Sequence, residues 1–262
     1  MLAPSRLPLR YRLWNLRWGA PSGRLVRGII SRERRATRWA APLVGCFAYQ
    51  GNNTTRAFEY PWAFEALSLS PGMRVLEIGG GLSGFQFVVD KSGCEIVNVD
   101  PGEEFHTSGW PLTSETVSRI NGVLGTRVEL KRCLLDEARL PSASFDRVVS
   151  ISVFEHVPEP ALENIFSEVR RVLRPGGILV LTIDLFLNVA PFAAASSNEY
   201  GHNVSVKWLV DTSGLELIHG RRDQLYGYQD FRPGEIVKRR DEFLVGKYPA
   251  MVQTLVLRKP NG

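Results

Sequence analysis

Gly79, Gly81 and Gly84 fall within VLEIGGGLSGF, Val75 to Phe85, between a β-rich apolar run and a helical pattern. The G-x-G-x-x-G spacing permits a tight turn and brings a ligand close to backbone N–H groups at a helix start. Asp100 closes the next β-rich run, 21 residues beyond Gly79, where a carboxylate can grip both hydroxyls of a ribose. Those features alone leave two adenosine ligands open, a nicotinamide dinucleotide and S-adenosylmethionine. Glu77 discriminates between them. It precedes the first glycine by two residues, where its charge repels a pyrophosphate and tolerates an ammonium or sulfonium. Asp136 opens a D-x-x-x-L-P stretch, Asp136 to Pro141, and places an acid to accept from an adenine amino group.

These groups need strands whose ends converge, and the chain supplies them. From Pro71 onward, apolar β-rich runs alternate with helical patterns, the signature of a parallel sheet covered on both faces. Strands are predicted at Arg74–Ile78, Glu95–Val99, Arg127–Leu130, Phe145–Ile151, Ile178–Ile183, Leu215–His219 and Val252–Leu257. Helices are predicted at Leu82–Lys91, Thr113–Val123, Ala161–Leu173 and Ser205–Thr212. The apolar run Ile178–Ala195 contains Asp184 and Pro191, so it reads as a buried strand entering a loop and not as a membrane span.

Two further stretches, SFDRVVSISVFEHV (Ser144–Val157) and LRPGGILVLT (Leu173–Thr182), complete a pattern. Residues 73–182, about 110 of 262, resemble the class I S-adenosylmethionine-dependent methyltransferases, closest to their small-molecule "type 11" group. The resemblance implies an α/β fold: a three-layer α/β/α Rossmann-like sandwich whose seven-stranded sheet is mostly parallel, with the last strand antiparallel. It implies S-adenosyl-L-methionine as cofactor, with Glu77, Gly79, Gly80 and Gly81 around its methionine end. Asp100 would hold the ribose, Leu135 and Asp136 the adenine, and Ser150 and Ile151 would line the pocket. The family commonly has E-x-G-x-G-x-G, whereas Ser83 stands at its last glycine and Gly84 follows, so the loop is expected to run one residue longer.

For a catalytic base, His156 in the F-E-H-V motif comes first by position and Asp184, at the expected mouth of the fifth strand, second. His202 ranks below them. His106, His219 and Glu155 carry no positional argument. No metal is expected, because Ser152 replaces the first acid of the E-x-x-E-H arrangement that some relatives use. Residues 46–70 read as a lid in which Tyr60 and Trp62 wall an acceptor pocket. Residues 71–262 form the methyltransferase domain, with an insertion at about 221–249 rich in Tyr, Phe and Arg.

Residues 1–45 are a basic arm. Residues 1–40 hold ten Arg, no Lys and only Glu33 as an acid; of the overall charge of +5 they carry +9, leaving −4 for the other 222 residues. That imbalance disfavours nucleic acid as a partner of the domain itself. Leu7, Tyr11, Trp14 and Trp18 share one helix face with Arg beside it, a composition suited to a membrane surface or to a solvated or self-packing arm with no partner. An Arg-rich, acid-poor start also suits a mitochondrial presequence in a eukaryote. Three separated cysteines, Cys46, Cys94 and Cys133, fit a reducing compartment, so a cytoplasmic or peripheral-membrane location is expected. The expected activity is methyl transfer to a small-molecule or lipid- or sugar-linked acceptor. A catalytically silent partner protein and an RNA methyltransferase are the alternatives.

Overall fold

The computed structural model describes residues 1–102, 110–246 and 248–261. The chain divides into two compact units, Pro8–Arg139 and Met1–Leu7 with Leu140–Gly262.

The first unit contains α1 (Leu9–Trp18), α2 (Arg32–Arg35), α3 (Ala41–Val44), α4 (Arg56–Leu67), β1 (Arg74–Ile78), α5 (Gly84–Lys91), β2 (Glu95–Val99), α6 (Ser114–Leu124) and β3 (Glu129–Lys131). Its strands run parallel in the order β3-β2-β1, with Arg74 opposite Glu95 and Ile78 opposite Val99. β1 and β2 are buried along almost their whole length, as strands covered on both faces must be. Thr113 caps α6 by accepting from the Thr116 N–H, and Gly125 ends that helix in the left-handed region.

The arm is part of this unit. Tyr11 meets Phe58 edge-on at 5.4 Å, and Trp14 packs on Phe47 at 5.8 Å and on Phe64 at 5.6 Å. Asn15 Nδ2 donates to the Ala57 carbonyl at 2.7 Å, tying α1 to α4. Gly19, at φ 76°, stops α1 and turns the chain back. The Arg24 guanidinium then holds the Arg17 and Pro42 carbonyls, joining the end of α1 to α3. The aromatic face predicted for α1 thus faces the core, and Leu9, Leu13 and Leu16 face outward.

The second unit contains β4 (Phe145–Ile151), α7 (Glu159–Val172), β5 (Leu173–Phe186), α8 (Val206–Ser213), β6 (Glu216–His219), α9 (Pro233–Lys238) and β7 (Ala250–Arg258). Its strand order is β4-β5-β7-β6; β4 and β5 are parallel, and β7 runs antiparallel to both its neighbours. The turn predicted at Arg174–Gly177 is absorbed into β5 as an irregularity, since the register jumps from Phe145↔Leu173 to Arg147↔Ile178. β5 also outruns its predicted end at Ile183, because pairing with β7 continues to Phe186↔Ala250.

Residues 1–3 lie along the first half of β7, the Thr254 N–H donating to the Met1 carbonyl and the Ala3 N–H to the Val252 carbonyl, while the Leu244 N–H donates to the Ala3 carbonyl on the other side. Leu2, Leu185, Phe231, Ile236, Phe243 and Met251 form one apolar cluster. Phe231 and Phe243 of the insertion are therefore core residues. Among the described residues the two units hold seven strands between helices, the mostly parallel Rossmann-like α/β arrangement with an antiparallel last strand. No helix among them is long and apolar enough to cross a membrane.

The packing of α1 predicts an asymmetry between its faces. Tyr11→Ala empties a buried aromatic site and should cost about 2–4 kcal/mol, whereas Leu13→Ala on the outer face should stay within about 0.5 kcal/mol of the parent. Denaturant unfolding of both variants measures the difference.

Candidate cofactor and active site

β1 ends at Ile78, and the chain turns through Gly79 at φ 71° and Gly81 at φ 54°, values that favour glycine. The loop is held from four directions. The Gly79 N–H donates to the Val99 carbonyl at 2.9 Å, and the Gly80 N–H to Asn98 Oδ1 at 3.2 Å. The Gly81 N–H donates to Asp100 Oδ2 at 2.8 Å, and the Leu82 N–H to Gln50 Oε1 at 2.7 Å. Asn98 Nδ2 and Gln86 Nε2 both donate to the Gly81 carbonyl at 2.9 Å. Asn98, Gln86 and Gln50 were not singled out in the sequence. Asn98 had a usable signal, being a polar residue between the apolar Val97 and Val99.

The third glycine has a different task. α5 starts at Gly84, after Ser83. A Cβ on Gly84 would lie 2.4 Å from Phe47 Cγ and 2.7 Å from the Phe47 Cα. Gly84 therefore admits segment 46–47 against the start of α5.

Glu77 is buried, and its register partner on β2 is Asn98. The Ser83 hydroxyl donates to Oε1 at 3.3 Å, while Oε2 has no hydrogen-bond partner among the described residues. Burial pushes this carboxyl up to about 8; the Ser83 hydroxyl opposes the rise and the charge of Asp100 adds to it. Asp100 stands at the tip of β2. Its two oxygens accept from the Gly81 and Gly102 N–H groups, each at 2.8 Å, which fixes the carboxylate and leaves lone pairs over. In the same unit Leu135 is buried and Asp136 is exposed, accepting from the Glu137 N–H at 3.1 Å.

The catalytic candidates belong to the other unit. Ser150 is buried and Ile151 half-buried at the end of β4. Ser152 follows at φ 46°, and its hydroxyl reaches Asp184 Oδ1 at 3.5 Å. Asp184 was expected at the mouth of the fifth strand. It lies buried two residues inside β5, opposite Val252, because the antiparallel pairing carries that strand onward. Its N–H donates to Glu155 Oε1 at 3.1 Å, and the Glu155 carbonyl accepts from the His202 N–H at 3.1 Å. Glu155, set aside in the sequence, is thus a buried hub joining β5 to the 201–202 loop. His156 is half-buried beside it, 3.2 Å from where a Cβ on Gly201 would stand. His106 lies outside the described residues.

Tyr60 and Trp62 are both buried in α4. Tyr60 stacks on Phe85 at 5.9 Å, and its hydroxyl donates to Asn52 Oδ1 at 2.9 Å. Among the described residues, no three side chains of metal-ligating type come together.

Residues 76–181, which carry the glycine loop, Asp100, Ser150 and Glu155, match the family described as "Methyltransferase domain". This stretch, 106 of the 262 residues, is similar to a methyltransferase domain. Over 111 residues the chain is 33% identical to the ubiquinone biosynthesis O-methyltransferase of Hahella chejuensis, covering 42% of each protein. Over 169 residues it is 31% identical to the sterol 24-C-methyltransferase ERG6B of Gibberella zeae, covering 58% of this chain and 42% of that one. The chain spans less than half the length of these curated relatives. The crystal structure of an S-adenosylmethionine-dependent methyltransferase from Mesorhizobium loti has the same fold, with a TM-score of 0.53 at 18% identity over 77% of this chain and 97% of that one.

S-adenosylmethionine is the cofactor of such a domain, and the residues present fit it. The chain buries a carboxyl oxygen without a donor at Glu77, where an ammonium supplies one. Gly80 leaves no room for a side chain, since a Cβ there would sit 2.6 Å from the Glu77 Cδ.

Glu77 also sets a pH dependence. The folded chain keeps its proton between the ordinary 4.5 and about 8 while the unfolded chain loses it. This contribution to stability is complete below about 4.5 and is lost as pH rises through about 8, at roughly 1.4 kcal/mol per pH unit between them. Denaturation midpoints across that range should fall for the parent and lose this slope in Glu77→Gln. Separately, Gly84→Ala should cost about 1–3 kcal/mol by overpacking against Phe47, read as a lower thermal midpoint.

Proposed function

We propose that this chain transfers a methyl group from S-adenosylmethionine to a small-molecule or lipid- or sugar-linked acceptor. The observation that carries the reading is the buried Glu77 carboxyl, with one oxygen lacking a donor, beneath a glycine loop braced by Asn98, Gln86 and Asp100. Relatives named for ubiquinone and sterol substrates point to an apolar acceptor.

When bound, the cofactor supplies an electrophilic methyl on a sulfonium. Glu77 and Gly79–Gly81 hold its amino-acid end, Asp100 the ribose, and Leu135 with Asp136 the adenine. The protein's main contribution is alignment, which brings the accepting atom to about 3–3.5 Å from the methyl. A hydroxyl or protonated amine acceptor must also lose a proton. His156 is assigned that task ahead of Asp184, because the Asp184 carboxyl is buried and accepts from the Ser152 hydroxyl while its N–H is held by Glu155, which suits it to positioning. Glu155 holds the 201–202 loop and thereby the surroundings of His156.

Calorimetry with S-adenosylmethionine should show saturable binding, weakened roughly 10- to 100-fold in Asp100→Ala by loss of charge-assisted hydrogen bonds. With quinol or sterol acceptors, S-adenosylhomocysteine should accumulate. His156→Ala should slow turnover about 10²–10⁴-fold with cofactor affinity unchanged if the acceptor needs a base. Heat with a nicotinamide dinucleotide and none with S-adenosylmethionine would overturn the proposal.

A further inference from the structure

Seven of the ten exposed large apolar side chains among the described residues lie between positions 9 and 43. They are Leu9, Leu13, Leu16, Leu25, Ile29, Trp39 and Leu43. Leu25 is 100% exposed and Leu16 72%. Leu9, Leu13 and Leu16 are spaced i, i+4, i+7 and make a stripe on the outer face of α1, with Arg10, Arg12 and Arg17 exposed beside it. The inner face is already occupied by Phe58, Phe47 and Phe64, so the stripe is a second apolar face and not a core face left open. Where α1 meets α4 and α5 there is a groove of about 420 Å³, lined by Leu13, Trp18 and Phe64 together with Arg10, Arg17 and Lys91. Arg10 pairs there with Glu65 at 2.9 Å.

We infer that this surface docks on the face of a lipid bilayer bearing anionic headgroups. Charge complementarity identifies the occupant. Residues 8–45 carry nine Arg against the single acid Glu33, and that excess is interleaved with the exposed Leu, Ile and Trp. A phosphate-bearing bilayer surface meets both demands: guanidinium groups bind headgroup phosphates in pairs of hydrogen bonds, and the apolar tips enter the acyl boundary. A second copy of the chain would set nine Arg against nine. A nucleic acid would match the guanidiniums and leave the leucines in water. Leu25, Ile29, Trp39 and Leu43 extend the contact beyond α1, and the packing of Tyr11 and Trp14 holds α1 in place before any lipid is met. The inference is independent of methyl transfer and stands or falls on lipid binding alone.

The test is co-sedimentation of the full chain with phosphatidylcholine vesicles, with and without phosphatidylglycerol. Binding is expected only to the anionic vesicles and should weaken as salt screens the charges. The outer-face variant Leu9→Ser/Leu13→Ser/Leu16→Ser should lose about tenfold or more in partitioning. Arg12→Glu/Arg34→Glu/Arg38→Glu should lose at least about fivefold per charge removed. Both sets of positions are exposed, so circular dichroism melting should match the parent. Absence of binding to phosphatidylglycerol vesicles overturns the inference, as does binding that ignores both triple variants. So does a dimer in sedimentation velocity that the leucine variant converts to monomer. Tighter binding to single-stranded RNA, sensitive to the arginines and indifferent to the leucines, overturns it in favour of a nucleic-acid arm.

Discussion

A carboxyl group buried beside a glycine turn is costly unless something answers it, because removing a charge from water without a partner outweighs most single favourable contacts. In this chain the burden falls on Glu77. One of its oxygens accepts from the Ser83 hydroxyl, and the molecule resolves the remaining cost by holding the proton up to about pH 8. The neighbourhood is built to keep that group in place. Gly79 and Gly81 turn the backbone with positive φ, Gly80 leaves space above the carboxyl, and Asn98, Gln86, Gln50 and Asp100 satisfy the loop's polar groups. Such a loop has little left to rearrange when a ligand arrives, so binding energy is not diverted into ordering it.

The same loop explains why the N-terminal residues are integral to their unit. Gln50 reaches the Leu82 N–H, and Phe47 fills the space that Gly84 leaves. Phe47 also meets Trp14 on one side and Tyr60 on the other, at 5.8 and 4.8 Å. A continuous chain of packed rings therefore runs from α1 to the start of α5. The exposed arginines and leucines of α1 lie on its other face.

In the other unit, β7 organises the structure. It pairs with β5 along nine residues from Ile178↔Arg258 to Phe186↔Ala250, and it takes residues 1–3 beside its first half. Continuing that pairing past Ile183 places Asp184 in a buried position, where Ser152 and Glu155 attach to its carboxyl and its N–H. Ser152 accepts a left-handed backbone to do so, the kind of local strain that clusters at functional positions.

What the amino-acid order settled by itself was local. β-rich runs located β1, β2, β4 and the core of β5 within a few residues, and glycine spacing located the turn and the acid before it, because strand periodicity and the φ range of glycine act over a handful of residues. Only the tertiary structure decided matters that depend on partners far along the chain. These are which face of α1 turns inward, why residue 84 must be glycine, that Asn98, Gln86 and Gln50 brace the loop, that Glu155 is a hub, and that Asp184 lies inside its strand. Each is set by a pairing or a close approach between segments distant in sequence, and residue type at a single position carries no record of the surface it will meet.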